Sequence, residues 1–349
     1  MTDQQPSQEE WRALYQAAQA FKAAAPWQWM YDSDMFGVQN PEDGEIGYCC
    51  VMGNLGEHFA LGVYKGSLGL AGYMALQTGA FGDEPDPMAA IFSQSCLMAS
   101  FEDREFLSKQ DLAVIKSLGL KFRGRNAWTQ FRDHAPGYFP WYLTAAQARF
   151  LTLALQQAVL VAQRFDEDAD LFDPPAEGKF FVRVPEPSGD GLVWHDAWLA
   201  PAEPKQPEAT LPEPDLGRAK QLKALKSSRS VWEAGVVPAP TPVQEERDQR
   251  PYFPLMSLWV EHRSGMVLGT HLSSPDQYRA DFQNQFLALV EQVGVRPKEV
   301  RVGAPPPMLL LAPLADVLGV RLKQADELPM LEEAYASLVE HFGGFEEEA

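Results

Sequence analysis

The sequence predicts two mixed domains: an acidic α+β domain built on antiparallel hairpins, then a smaller α/β domain. Three observations carry this. A chain of 349 residues is long for one core and comfortable for two. Residues 200–215, APAEPKQPEATLPEPD, hold five prolines and no bulky core residue beyond Leu211. Proline fixes φ and excludes helix, so this stretch reads as a semi-extended linker. Before it, helices and hairpins are mixed; after it, strands and helices alternate in a regular order. The expected domains are therefore 1–199 and 216–349, with 200–215 between them.

In the first domain, SQEEWRALYQAAQAFKAAAP opens on a capping box, Ser7 with Glu10 three positions on. Trp11, Leu14, Tyr15, Ala18 and Phe21 then fall on one helical face, and Pro26 ends it. Strand-like pieces follow at MFGV, IGYCCVM, HFALGVY and SCLMASF. TAAQARFLTLALQQAVLVAQRF is a long helix capped by Thr144, and KFFVRV and GLVWHDAW are two more strands. In the second domain SVWEAGVV is a strand, and FPLMSLWVEHRSGMVLGTHLS is a hairpin turning at Arg263, Ser264 and Gly265. A helix runs from near Asp276 to its stop at Gly294. KEVRV, PPMLLLAPLADVLG, VRLKQA and LPMLEEAYASLVEHFG then alternate strand and helix. The order β-β-β-α-β-α-β-α is that of a ribonuclease H-like fold, as a match of pattern that other α/β folds share. No repeat relates the two halves.

Composition narrows the function classes. An apolar fraction of 46% with nine tryptophans marks a globular chain. The N-terminus MTDQQPSQEEW lacks the basic-then-apolar pattern of a signal peptide. No apolar run reaches the ~20 residues that a bilayer requires. Three cysteines without a CxxC pair fit a reducing compartment. A soluble cytoplasmic protein with no membrane partner is the expectation. The net charge of −19 argues against nucleic acid as a partner. Residues 1–215 carry 15 basic and 30 acidic side chains, against 14 and 18 in the remainder, so the acidity belongs to the first half.

Four stretches could carry chemistry. In GEIGYCCVMGNLGEHFALGVYKG, a turn at Gly53-Asn54-Leu55-Gly56 sets Met52 opposite Glu57 and Cys50 opposite Phe59. Alternation then sends Cys49 and Cys50 to opposite faces. Cys49 shares a face with His58 at a diagonal of roughly 7–8 Å, within reach of a thiolate–imidazole pair. The glycines and alanine on that face equally suit close packing by a helix, with cysteine as a small apolar residue.

LKFRGRNAWTQFRDHAPGYFPWY, residues 120–142, brings Lys121, Arg123, Arg125 and Arg132 among Trp128, Trp141 and other aromatic rings. With the loop from Trp27 to Asp34, these could hold an anionic ligand, because guanidinium chelates carboxylate or phosphate and aromatic faces stack. The competing expectation is pairing of the arginines with nearby acids such as Asp32, Asp34 and Asp43. GRAKQLKALKSSRS, residues 217–230, sets Lys220, Lys223 and Lys226 at near-helical spacing, a short cationic stripe. Finally, Glu233 and Glu261 are the carboxylates that a two-metal phosphodiesterase could draw on. The strand KEVRV, however, runs into Gly303-Ala304-Pro305 where an acid would be wanted. There is no GxxxxGK[ST], GxGxxG after a strand, HExxH or GxSxG, and the histidines lack short metal spacing.

The stretches EWRALYQAAQAFKAAAPWQWMYDSDMFGVQNPEDGEIGYCCVMGNLGEHFALGVYKGSLGL and LGLKFRGRNAWTQFRDHAPGYFPWYLT in the first half, with RPYFPLMSLWVEHRSGMVLG and VGVRPKEVRVGAPPPMLLLAPLADVLGVRL in the second, resemble a two-domain bacterial family of unknown function. The resemblance implies two domains in a bacterial cytoplasmic protein and brings no activity and no catalytic residues. The reading that results is a non-enzymatic binding or adaptor protein. It would recognise an anionic small molecule or a protein partner, without a cofactor. The alternative is a metal-dependent phosphodiesterase or nuclease working through the second domain.

Overall fold

The computed structural model describes residues 5–78, 87–189, 191–203, 211–239, 241–303 and 306–343. The chain divides into two compact units, Met1–Gln206 and Pro207–Ala349. Most of the expected linker, at 204–210, lies outside the described residues, as do Ala304 and Pro305.

In the first unit, strands β1 (Phe36–Gln39), β2 (Ile46–Met52), β3 (Ala60–Lys65), β4 (Cys96–Glu102), β5 (Trp128–His134), β6 (Phe180–Ser188) and β7 (Gly191–Leu199) form one sheet, ordered β5-β4-β3-β2-β1-β6-β7. All neighbours are antiparallel except β1 and β6, which run parallel. The sheet is therefore mixed. Period-2 alternation gives it two apolar faces. Cys49, Val51, Leu61, Val63, Leu97, Ala99 and Phe101 pack with α1 (Gln8–Ala24) and α5 (Ala145–Glu167). Tyr48, Cys50, Tyr64 and Cys96 pack with Leu70 and Tyr73 of α2 (Gly66–Gln77). Helices α3 (Pro87–Ser93) and α4 (Lys109–Ser117) complete the unit.

The capping boxes at Ser7 with Glu10 and Thr144 with Gln147 are both formed, and Ser108 with Asp111 adds a third at α4. Each satisfies two orphan N–H groups of a first turn, worth about 1 kcal/mol per cap. Gly47 lets α5 approach the sheet: a Cβ there would sit 2.7 Å from the Phe150 ring. Helix α2, GSLGLAGYMALQ, is absent from the sequence reading because three of its residues are poor helix formers. Gly69 and Gly72 are there for contact, since a Cβ on either would collide with the carbonyl of Ser95 or Ser93.

In the second unit, β8 (Val231–Pro238), β9 (Leu255–Glu261), β10 (Val267–Ser273), β11 (Glu299–Val302) and β12 (Arg321–Gln324) are ordered β10-β9-β8-β11-β12. The first three are antiparallel, while β11 lies parallel to β8 and β12 parallel to β11. Trp232, Ala234, Trp259, Val300 and Val302 pack with α6 (Leu216–Leu222), α7 (Tyr278–Val293) and α8 (Pro307–Leu318). The opposite face buries Leu258 and Val260 against Leu331 of α9 (Pro329–Gly343). The hairpin turns where expected: Gly265 has φ +67°, and the Glu261 carboxylate accepts the Arg263 and Ser264 N–H groups. Gly294 ends α7 in the left-handed conformation. Among the described residues no helix is long and apolar enough to cross a membrane.

Candidate functional site

The β2–β3 hairpin corrects the first expectation. Met52 pairs with Ala60, Cys50 with Gly62 and Cys49 with Val63. The connection is thus the seven residues 53–59 rather than a four-residue turn. The slip is odd, so every cross-strand neighbour changes face. Cys49 and Cys50 do point to opposite faces, but Cys49 lies fully buried beneath α5 with Val63, while His58 stands in the loop. Its Nδ1 is 3.8 Å from a Glu102 oxygen. Burial pushes the Cys49 thiol up, away from the thiolate. The Cys49–His58 pair is not formed.

The stretch 120–142 is divided by the fold. Strand β5 alternates inward and outward positions, burying Thr129, Phe131 and Asp133. Arg132 is taken up by a two-pronged bond to Asp111 of α4, at 2.9 and 2.7 Å, and its guanidinium lies over the Tyr142 ring. Its partner is Asp111, not an acid of the 32–43 loop. Trp141 pairs its backbone with Asp133 at the sheet edge. Trp27 packs among Phe21, Phe59 and Phe101. Trp128 packs on Phe122 beneath Arg104. These residues serve the core and the edge of the sheet. Asp34 lies elsewhere, before β1, where its carboxylate accepts the Tyr31 N–H at 2.7 Å.

What remains is the loop 121–126. Lys121, Arg123 and Arg125 are exposed. Arg125 stands 3.9 Å from Asp103; Lys121 and Arg123 have no ion-pair partner among the described residues. The loop is nonetheless fixed. Gly124 has φ +103° and Asn126 φ +49°, left-handed geometry that asparagine tolerates better than most side chains. The Asn126 N–H donates to Asp103 at 2.7 Å, and its carbonyl accepts from Lys22 of α1. Beside it the turn Arg104–Phe106 presents Phe106, 64% exposed, whose carbonyl accepts from Gln130.

In the second unit the two carboxylates part company. Glu261 pairs in register with Trp232, on the α6–α8 face, and Glu233 with Val260, on the α9 face. Glu233 is fully buried. One of its oxygens lies 2.5 Å from His262 Nδ1, and the other accepts the Leu331 N–H at 2.9 Å. Arg301 Nη1 is 3.0 Å from His262 Nε2 and Arg301 Nε donates to Glu299. Guanidinium only donates, so Nε2 accepts and the ring proton sits on Nδ1, facing Glu233. Sequence reasoning missed this chain of four; its only signal was a buried-strand glutamate. The position opposite Glu233 on β11 is Arg301 itself. Among the described residues no three His, Cys, Asp or Glu side chains are grouped to hold a metal ion. The cationic stripe at 217–230 is also interrupted: α6 ends at Leu222, and the Lys226 carbonyl pairs with Arg296.

Fold and sites together define a two-domain protein with helices and a mixed sheet in each unit, the second unit being of α/β type. Residues 11–183 match the family model of a domain of unknown function (DUF7309), and residues 218–339 match that of a second domain of unknown function (DUF6930). No curated protein matches the chain.

Proposed function

We propose that the chain is a non-enzymatic binding or adaptor protein whose first domain receives an acidic segment of a protein partner on the loop 121–126. The observation that supports this is a fixed loop presenting three exposed cations in the more acidic half of the chain, two of them unpaired among the described residues. Charge repulsion from the rest of the unit is screened beyond ~8 Å at physiological salt, so the local cations govern a short contact. Exposed Phe106 beside the loop supplies the aromatic anchor common at interfaces.

The second domain we read as ribonuclease H-like, with no metal-binding carboxylate cluster among the described residues. Its element order from β8 to α9, β-β-β-α-β-α-β-α, supports that reading. A metal-dependent phosphodiesterase needs carboxylates converging on one face. Glu233 and Glu261 face opposite ways, and Arg301 stands beside Glu233, which favours binding over catalysis.

The test is titration of the intact chain with a labelled oligoglutamate peptide, alongside inorganic phosphate. Binding should saturate, weaken as salt rises, and vanish in Lys121→Glu/Arg123→Glu/Arg125→Glu. Equal binding by the variant, or tighter binding of phosphate than of peptide, contradicts the proposal.

A further inference from the structure

The one parallel pair in the first sheet, β1 with β6, begins beside a cavity of about 300 Å³. That is the lower end of the range for small-molecule sites. Part of its lining is apolar and aromatic: Met35, Met74, Phe172 and Phe180. They are held by packing, Phe172 against Phe36 and Phe165, and Phe180 edge-on to Tyr48. Two opposite charges line the same cavity, Lys179 and Asp34. Lys179 is exposed and has no partner among the described residues. Asp34 spends one oxygen on the Tyr31 N–H, leaving the other for a ligand. Tyr73 and Gln77 also line the cavity, but both donate to Asp32, which keeps their polar ends oriented.

We propose that this cavity binds a small zwitterion with an apolar planar body, an aromatic amino acid in chemical class. Its carboxylate would meet Lys179, its ammonium Asp34, and its ring the Phe172–Phe180 wall. Separated charges that do not neutralise each other suit a ligand carrying both signs. An uncharged apolar molecule would leave both unmatched. In the sheet, β2, β3 and β4 separate this cavity from β5 and the basic loop, so the two proposals succeed or fail independently.

Calorimetric titration of the intact chain with L-phenylalanine, 3-phenylpropionate and phenethylamine tests it. Phenylalanine should bind saturably, and each single-charge probe about tenfold more weakly. Lys179→Ala should weaken phenylalanine and phenylpropionate about tenfold and leave phenethylamine unchanged; Asp34→Asn should do the reverse. Lys179 is exposed, so its variant reports binding rather than folding. No saturable heat with phenylalanine up to about 10 mM, or unchanged affinity in Lys179→Ala, overturns the proposal.

Discussion

Burial decides what the chemically active side chains can do. Cys50 and Cys96 are pushed up to about 12, chiefly by burial, with the charge of Asp32 adding to the effect at Cys50. Such thiols are inert packing groups at neutral pH. A thiol reagent should therefore modify all three cysteines slowly in the native chain, and His58→Ala should leave the rate at Cys49 unchanged. Rapid, His58-dependent labelling of Cys49 would restore the pair. The same shifts set a pH dependence. The unfolded chain releases its thiol protons near the ordinary value of ~8.5, while the folded chain holds them to about 12. The stability they contribute is full below ~8.5 and is lost as pH rises through that window. Thermal unfolding from pH 8 to 10.5 should show a falling midpoint, with a shallower slope in Cys50→Ala. At Glu233, replacement by Gln puts an N–H where an acceptor is needed and should cost about 1–3 kcal/mol. Urea unfolding should give this loss equally with and without manganese. Stabilisation by manganese in the wild type alone would make Glu233 a metal ligand.

Elements with a strong period were legible, and those set by contacts were not. The capped helices α1 and α5, the β9–β10 turn and the stop at Gly294 follow from local signals that the structure repeats. The β2–β3 register did not. A Gly-Asn-Leu-Gly stretch reads as a tight turn, yet Phe59 is drawn onto Trp27, which lengthens the loop to 53–59. Helix α2 was hidden because its glycines record close approach rather than propensity. The basic stretch was visible as composition, but its division was not. Arg132 is lost to Asp111 of α4, a tertiary contact that no local signal carries. Both partners are largely buried, so Arg132→Ala should destabilise the chain by about 3 kcal/mol, read by denaturant midpoint. Lys121→Ala should lie within about 0.5 kcal/mol of wild type. A comparable loss in both would mean that the loop cation also holds the fold.

At the scale of the whole molecule, each unit has its own sheet and its own buried cluster. Residues 1–206 and 207–349 should therefore each melt cooperatively when expressed alone; an unfolded fragment would show that one unit depends on the other. The excess negative charge of the first half makes its basic loop conspicuous as a recognition element. The most direct measurement is the oligoglutamate titration of the intact chain at low and high salt, wild type against Lys121→Glu/Arg123→Glu/Arg125→Glu. A saturable, salt-sensitive interaction present only in the wild type is the predicted result. Identical curves for the two proteins would contradict the account.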